Sequence, residues 1–79
     1  MSEVQKTLVD TSAEDLMALG LQACVGQSND RVEAHKWFNL SAMKGCAAAR
    51  SYRSDIASEM NASEIAEAQR RARQVLTLH

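Results

Sequence analysis

The chain has 79 residues, with no proline, three glycines and thirteen alanines. A chain of this length is expected to form one small domain, because typical domains hold ~100–150 residues. So few turn-forming residues exclude the many tight turns of a β-sandwich or β-barrel. The abundant alanine favours helix, so we predict an all-α fold.

The formal net charge is −1, so the chain as a whole does not attract nucleic acid or anionic membranes. The charge is unevenly distributed. Residues 1–34 carry two basic and six acidic groups, or −4, and residues 35–79 carry seven basic and four acidic groups, or +3. This asymmetry is weakly compatible with head-to-tail self-association.

No apolar run approaches the ~20 residues that a membrane span needs. The N-terminus also lacks the apolar stretch of a secretory signal. We therefore expect a cytoplasmic protein that does not enter the membrane. In that compartment Cys24 and Cys46 are expected to be reduced thiols.

Residues typical of helix N-caps indicate where three of the predicted helices begin. Thr11 with Glu14 fits a capping box, and Asp30 and Asn61 are also followed by a glutamate three residues later. Glycines suited to ending a helix are Gly26 and Gly45. Together these signals predict helices at about residues 12–24, 30–44, 46–59 and 62–77. We expect residues 1–10 to form a tail and residues 11–79 to form a single domain.

Apolar residues recur at helical spacing in each predicted helix. Gly20 lies inside the apolar arc of the first helix, where we expect it to admit the second helix closely, with the Trp37 ring filling the space. The predicted core face of the second helix holds Ala34, Trp37, Phe38, Ser41 and Ala42. That of the third holds Ala48, Ala49, Tyr52, Ile56 and Met60.

The fourth helix has a narrow apolar stripe, which indicates a single neighbour and hence the end of a stack. The stripe holds Ile65, Ala68, Ala72, Val75 and Leu76. Short loops make consecutive helices antiparallel. We therefore predict two helical hairpins.

One part of the pattern is typical of a known family. The residues concerned are Leu19, Gly20, Ala34, Trp37, Phe38, Ala42 and Gly45, the last five within the phrase VEAHKWFNLSAMKG. With them, the stretch 13–45 resembles a Sel-one-like repeat, a relative of the tetratricopeptide repeat. After Cys46 the pattern is lost, so we expect a degenerate, terminating unit there.

The resemblance implies an α–α superhelical fold and a role in protein–protein contact or scaffolding. The family carries no catalytic residues, so none is transferred. Related folds line their concave face with the first helix of each hairpin. By resemblance, the candidate partner-binding residues on that face are Asp15, Ala18 and Gln22.

A second candidate surface lies on the second helix, outside its main apolar stripe. It comprises Val32, Leu40 and Met43 around Lys36. Its occupant would be the chain's own tail, through Val4, Leu8 and Val9, or a second chain. A homodimer is therefore an open alternative, since a stack of so few units is marginal alone.

No constellation of residues points to catalysis, a metal or a cofactor. His35 has Arg31 and Asn39 at i±4 rather than ligand residues, so we expect a surface histidine. The two cysteines should lie at opposite ends of the second helix, ~22 Å apart, which excludes a disulfide. Arg53 falls in an apolar arc, and we expect it to reach past the stack or to pair with a carboxylate on the first helix or with Glu64.

The alternative function is a nucleic-acid-associated or regulatory helical protein that uses the basic C-terminal helix. Its candidate residues are Arg70, Arg71 and Arg73. However, Glu67 has arginines at i+3 and i+4, which favours ion pairs within the helix. We therefore consider nucleic acid the less favoured partner.

Overall fold

The structure, a computed structural model, describes residues 11–25 and 30–77. Within these ranges the chain is all-α, as predicted, and has four helices: α1 (Ala13–Cys24), α2 (Arg31–Met43), α3 (Ala47–Ala57) and α4 (Ala62–Thr77). The predicted tail at 1–10 and the predicted helix stop at Gly26 lie outside the described residues.

The N-cap of α1 lies one residue later than predicted. Ser12 is the N-cap of α1, and its hydroxyl accepts a hydrogen bond from the Asp15 N–H at 3.1 Å. The Thr11–Glu14 capping box is therefore wrong. Ser12 provides the same oxygen as threonine in the extended backbone conformation that an N-cap requires.

Two other predicted caps are confirmed. The Asp30 carboxylate accepts from the Glu33 N–H at 3.1 Å. Asn61 and Glu64 form a reciprocal capping box: the Asn61 side chain accepts from the Glu64 N–H at 2.8 Å, and the Glu64 carboxylate accepts from the Asn61 N–H at 2.9 Å. These bonds satisfy amides that a helix start leaves unpaired.

Gly45 ends α2, as predicted. Its φ of +104° lies in the region that favours glycine. Its N–H donates to the Ala42 carbonyl at 3.0 Å, and the Cys46 N–H donates to the Ser41 carbonyl at 3.2 Å. This pair of bonds is the Schellman pattern, and it turns the chain into α3.

The central element is α2. It packs extensively against α1, α3 and α4, whereas those three helices touch one another only marginally within the described residues. Its buried side chains therefore occur on several faces, and they include polar ones. Ser41 is fully buried, and its hydroxyl donates to the Ala13 carbonyl of α1 at 2.6 Å.

One side of α2 holds a small apolar cluster that joins three helices. Its buried members are Leu16 of α1, Leu40 of α2 and Ala72 of α4. Leu19, Trp37 and Val75 are partly buried against it. On α4 only Ala68 and Ala72 are fully buried, which agrees with the narrow stripe predicted for that helix.

The closest approach between α1 and α2 occurs at Gly20. A Cβ atom on Gly20 would lie 2.5 Å from Cε1 and 2.6 Å from Cδ1 of Phe38. Phe38 thus fills the space above Gly20, and the prediction that Trp37 does so is wrong. Consecutive residues of a helix point ~100° apart, and Trp37 packs instead on the cluster that includes α4.

The predicted core face of α3 is partly wrong, since two of its five residues are exposed while Ile56 and Met60 are half-buried. Ala49 is buried, but Ala48 is exposed and Tyr52 keeps 42% of its surface accessible. The reason is that α3 has a single extensive neighbour, α2. Arg53 donates to the Asn39 side-chain oxygen of α2 at 2.7 Å. Its partner is therefore neither a carboxylate on α1 nor Glu64, the two partners predicted for it.

We predict that Gly20→Ala destabilises the protein by about 1 kcal/mol or more. Overpacking a core typically costs ~1–3 kcal/mol, and the gain in helix propensity of about 1 kcal/mol offsets only part of it. Urea unfolding followed by circular dichroism measures the change.

The same substitution in a Phe38→Leu background should be neutral or stabilising, because the ring that blocks the new methyl group is gone. A Trp37→Leu background is the matched control and should keep the full penalty. If the penalty persisted in the Phe38→Leu background and disappeared in the Trp37→Leu background, Trp37 would be the residue that fills this space.

Candidate protein-binding groove

A groove of about 260 Å³ lies where α3 packs beside the α1–α2 pair. We call it the α1–α3 groove. It is lined by Cys24 of α1, Phe38 of α2, and four residues on or just after α3: Tyr52, Asp55, Ile56 and Glu59. The spacing of those four, i, i+3, i+4 and i+7, places them on one helix face.

The floor of the groove is aromatic. The Phe38 and Tyr52 rings stack with their centroids 5.4 Å apart and their planes 20° apart. Phe38 is 1% exposed and Tyr52 is 42% exposed. The buried ring, held against Gly20, therefore supports a surface aromatic in a fixed position.

The rim of the groove is acidic. Glu59 lies 3.6 Å from Arg31, and both side chains of this pair are well exposed, so the pair contributes little. The Asp55 carboxylate makes no hydrogen bond or ion pair with any described residue. Outside the helical pattern, the Asp55 backbone carbonyl accepts from the Ser58 hydroxyl. The groove thus combines an apolar floor with incompletely neutralised carboxylates.

Cys24 lines this groove as a free thiol. Partial burial raises its pKa, and the nearby charge of Glu59 raises it further. Cys46 is also free, and its Sγ lies 3.7 Å from the Met17 Sδ. The two cysteines are therefore unpaired, as predicted. The Cys24 thiol is protonated at neutral pH, a state that disfavours nucleophilic chemistry.

The predicted concave-face residues do not line the α1–α3 groove. Asp15 and Ala18 are exposed elsewhere on α1. Gln22 lines a second depression of about 310 Å³, with Leu19, Ala23, Asp30, Glu33 and Trp37. The side of α1 that turns toward α3 holds Cys24 and Met17 instead.

The predicted contact patch on α2 is not a continuous exposed surface. Met43 is 59% exposed, but Leu40 is 2% and Lys36 is 9% exposed. The Lys36 ammonium lies 2.7 Å from the Glu33 carboxylate and 4.0 Å from the centroid of the Trp37 ring. The patch is interrupted because the packing of α4 covers its centre, while Val32 at its other end is half-buried.

The basic cluster of α4 is engaged in ion pairs. Glu67 accepts from Arg70 at 2.9 Å and from Arg71 at 2.8 Å, which confirms the predicted spacing argument. These hydrogen bonds, from Arg70 first and Arg71 second, lower the pKa of Glu67 to about 2. Arg71 also donates to Glu33 of α2 at 2.8 Å, a link between helices that the sequence did not indicate.

Glu33 therefore joins α2 to α4. Burial by itself raises the pKa of its carboxyl, but the hydrogen bonds from Lys36 and Arg71 hold that pKa below its usual range. Its two oxygens serve different partners: one accepts from Lys36 and the other from Arg71. Two of the three clustered arginines, Arg70 and Arg71, thus already bind carboxylates of the same chain.

His35 is not the surface histidine that the sequence predicted. It is 4% exposed, and its Nδ1 makes no hydrogen bond. Burial lowers its pKa first, and the positive charge of Arg53 lowers it further. The prediction was wrong because α2 packs against three other helices, and on the α3 side Arg53 lies close enough to affect this histidine.

Two further findings concern the described residues alone. They contain no group of three His, Cys, Asp or Glu side chains placed to hold a metal ion. Nor do they contain a helix of the length and apolar character required to span a membrane.

Searches of protein-family models, curated proteins and solved structures found nothing that matches this chain.

The burial of His35 predicts a pH-dependent stability. Its pKa in the folded state lies below the value of ~6.5 for an exposed histidine. As the pH falls below ~6.5 the unfolded chain takes up the proton first, so the free energy of unfolding should decrease. It should do so between pH 7 and pH 5, above the range in which Glu33 and Glu67 titrate.

Urea unfolding at several pH values measures this effect. His35→Leu should be less sensitive to pH over that interval than the wild type. Equal sensitivity of the wild type and His35→Leu would contradict a lowered pKa of His35.

The position of Cys24 predicts slow alkylation that depends on Glu59. The measurement uses a Cys46→Ser background, which leaves one thiol and puts a favoured N-cap residue before α3. Glu59→Gln should lower the pKa of Cys24 and speed its reaction with iodoacetamide at pH 8. Glu14→Gln, an equal charge change on an exposed part of α1, should leave the rate unchanged. Equal rates in both variants would exclude the influence of Glu59.

Proposed function

We propose that this chain is a cytoplasmic protein-binding or scaffolding module of the Sel-one-like, tetratricopeptide-related type. We place its partner in the α1–α3 groove and assign the chain no catalytic role. The observation that carries the proposal is the exposed Tyr52 ring, stacked on the buried Phe38 ring at 5.4 Å in a concave surface.

Protein interfaces concentrate their binding energy in a few well-packed anchors, and aromatic residues are enriched among them. A rigid anchor loses little conformational entropy when a partner binds. Tyr52 meets both conditions, because Phe38 and Gly20 fix the ring beneath it. Polar residues at the edge of the groove, as in known interfaces, would provide specificity.

The nucleic-acid alternative has less support. Phosphate binding needs arginines whose guanidinium groups are available. Arg70 and Arg71 already donate to Glu67 and Glu33. A homodimer stays a prediction.

Affinity capture with two single-residue variants tests the proposal. Tyr52→Lys removes the exposed aromatic anchor, and Met43→Lys introduces the same charge at an exposed position on the α2 patch predicted from the sequence. Circular dichroism and urea unfolding check that both variants fold; the lost ring stacking contributes about 0.5–1.5 kcal/mol.

We expect proteins captured by the tagged wild type and identified by mass spectrometry to be lost with Tyr52→Lys and kept with Met43→Lys. Loss with Met43→Lys alone would assign binding to the α2 patch instead. Retention by both variants would contradict a role for either surface.

A further inference from the structure

We infer that the α1–α3 groove binds a protein segment in which an arginine or lysine adjoins an apolar side chain. This inference rests on the proposed function and specifies the chemistry of the partner. The apolar side chain would lie on Tyr52 and Ile56, and the cation would be bound by Asp55 and Glu59.

The first support is that the carboxylates of the described residues differ in how closely cations of the chain bind them. Glu33 and Glu67 each bind two cations at close range. In the groove, Glu59 has only the loose contact of 3.6 Å with Arg31, and no cation of the described residues lies within ion-pair distance of Asp55. An external cation bound in the groove would therefore add a new close ion pair.

The second support is the relative position of these two carboxylates. Asp55 and Glu59 stand four residues apart at the C-terminal end of α3, so they lie side by side on one face. Like charges at this spacing repel each other, and the negative end of the helix dipole adds to the unfavourable potential. One cation between them would relieve both effects.

The third support is the aromatic floor. A guanidinium group can lie against the face of a tyrosine ring while it donates hydrogen bonds to carboxylates. Tyr52 is exposed beside Asp55 and Ile56 in the same groove. The raised pKa of Cys24, to which Glu59 contributes, agrees with a negative potential inside the groove.

The second depression does not fit such a ligand as well. Its Asp30 carboxylate caps α2 by accepting from the Glu33 N–H, and its Glu33 carboxylate already binds Lys36 and Arg71. Both acidic groups there have partners in the chain. The α1–α3 groove is therefore the favoured site for a basic segment.

The probe for the test is a phage-displayed library of random dodecapeptides. It is selected on the whole chain carrying Cys46→Ser, and in parallel on the same chain carrying Asp55→Asn and Glu59→Gln. We expect the first selection to enrich arginine or lysine beside Leu, Ile, Phe or Trp, and the second selection to lose the basic residue.

The enriched peptides are then synthesised and their affinities measured at low salt by fluorescence anisotropy. We expect at least about tenfold weaker binding to the Asp55→Asn, Glu59→Gln chain, because charge-assisted hydrogen bonds are lost. A Glu14→Gln chain is the control. It removes a negative charge from an exposed face of α1 and should bind as the wild type does.

Protection of the Cys24 thiol separates the two proposals. A peptide in the groove should slow alkylation of Cys24 severalfold. Peptides that protect Cys24 but lack basic residues and bind the double variant equally well would overturn this inference and keep the proposed function. If no selected peptide protects Cys24, the groove is not the binding site and both proposals fail.

A second copy of this chain is the other source of a basic segment. Sedimentation velocity over a range of concentrations tests it. A monomer at all concentrations is the expected result. A dimer that the Asp55→Asn, Glu59→Gln substitutions abolish would assign the groove to self-association and overturn the inferred partner.

Discussion

The rest of the structure depends on the close approach of α1 and α2 at Gly20. The absent side chain leaves room for the Phe38 ring, which a Cβ atom would contact at 2.5 Å. Phe38 in turn supports Tyr52 of α3 by stacking. A single small residue on α1 therefore determines where an exposed aromatic on α3 stands, and with it the floor of the α1–α3 groove.

The position of α2 among the other three helices explains its polar interior. A helix buried on several sides must bury some polar residues, and each then needs a partner. Ser41 donates to the Ala13 carbonyl, and Lys36 pairs with Glu33 and covers the Trp37 ring. His35 is the exception, since its Nδ1 has no partner. Burial first, and then the charge of Arg53 on α3, thus lower the pKa of a histidine that the sequence predicted to lie at the surface.

Ion pairs, as well as apolar contacts, attach α4 to α2. The buried residues of α4 are alanines, which bury little area and so contribute little hydrophobic stabilisation. The chain from Lys36 through Glu33 and Arg71 to Glu67 provides specific contacts between the two helices. This arrangement also uses the arginines that would otherwise mark a nucleic-acid surface, and it leaves the acidic groove beside α3 as the less neutralised region.

Several features of this protein follow from short stretches of sequence: the all-α class, the four helices, the Asp30 and Asn61 caps, the stop at Gly45 and the Glu67 ion pairs. They depend on residues within a few positions of one another, so spacing and propensity suffice to predict them. Other features follow only from the packing of the helices: Phe38 meets Gly20, His35 and Lys36 are buried, and Cys24 faces α3. Each of these depends on which helices pack around α2, because a helical period specifies a face of one helix without specifying what covers it.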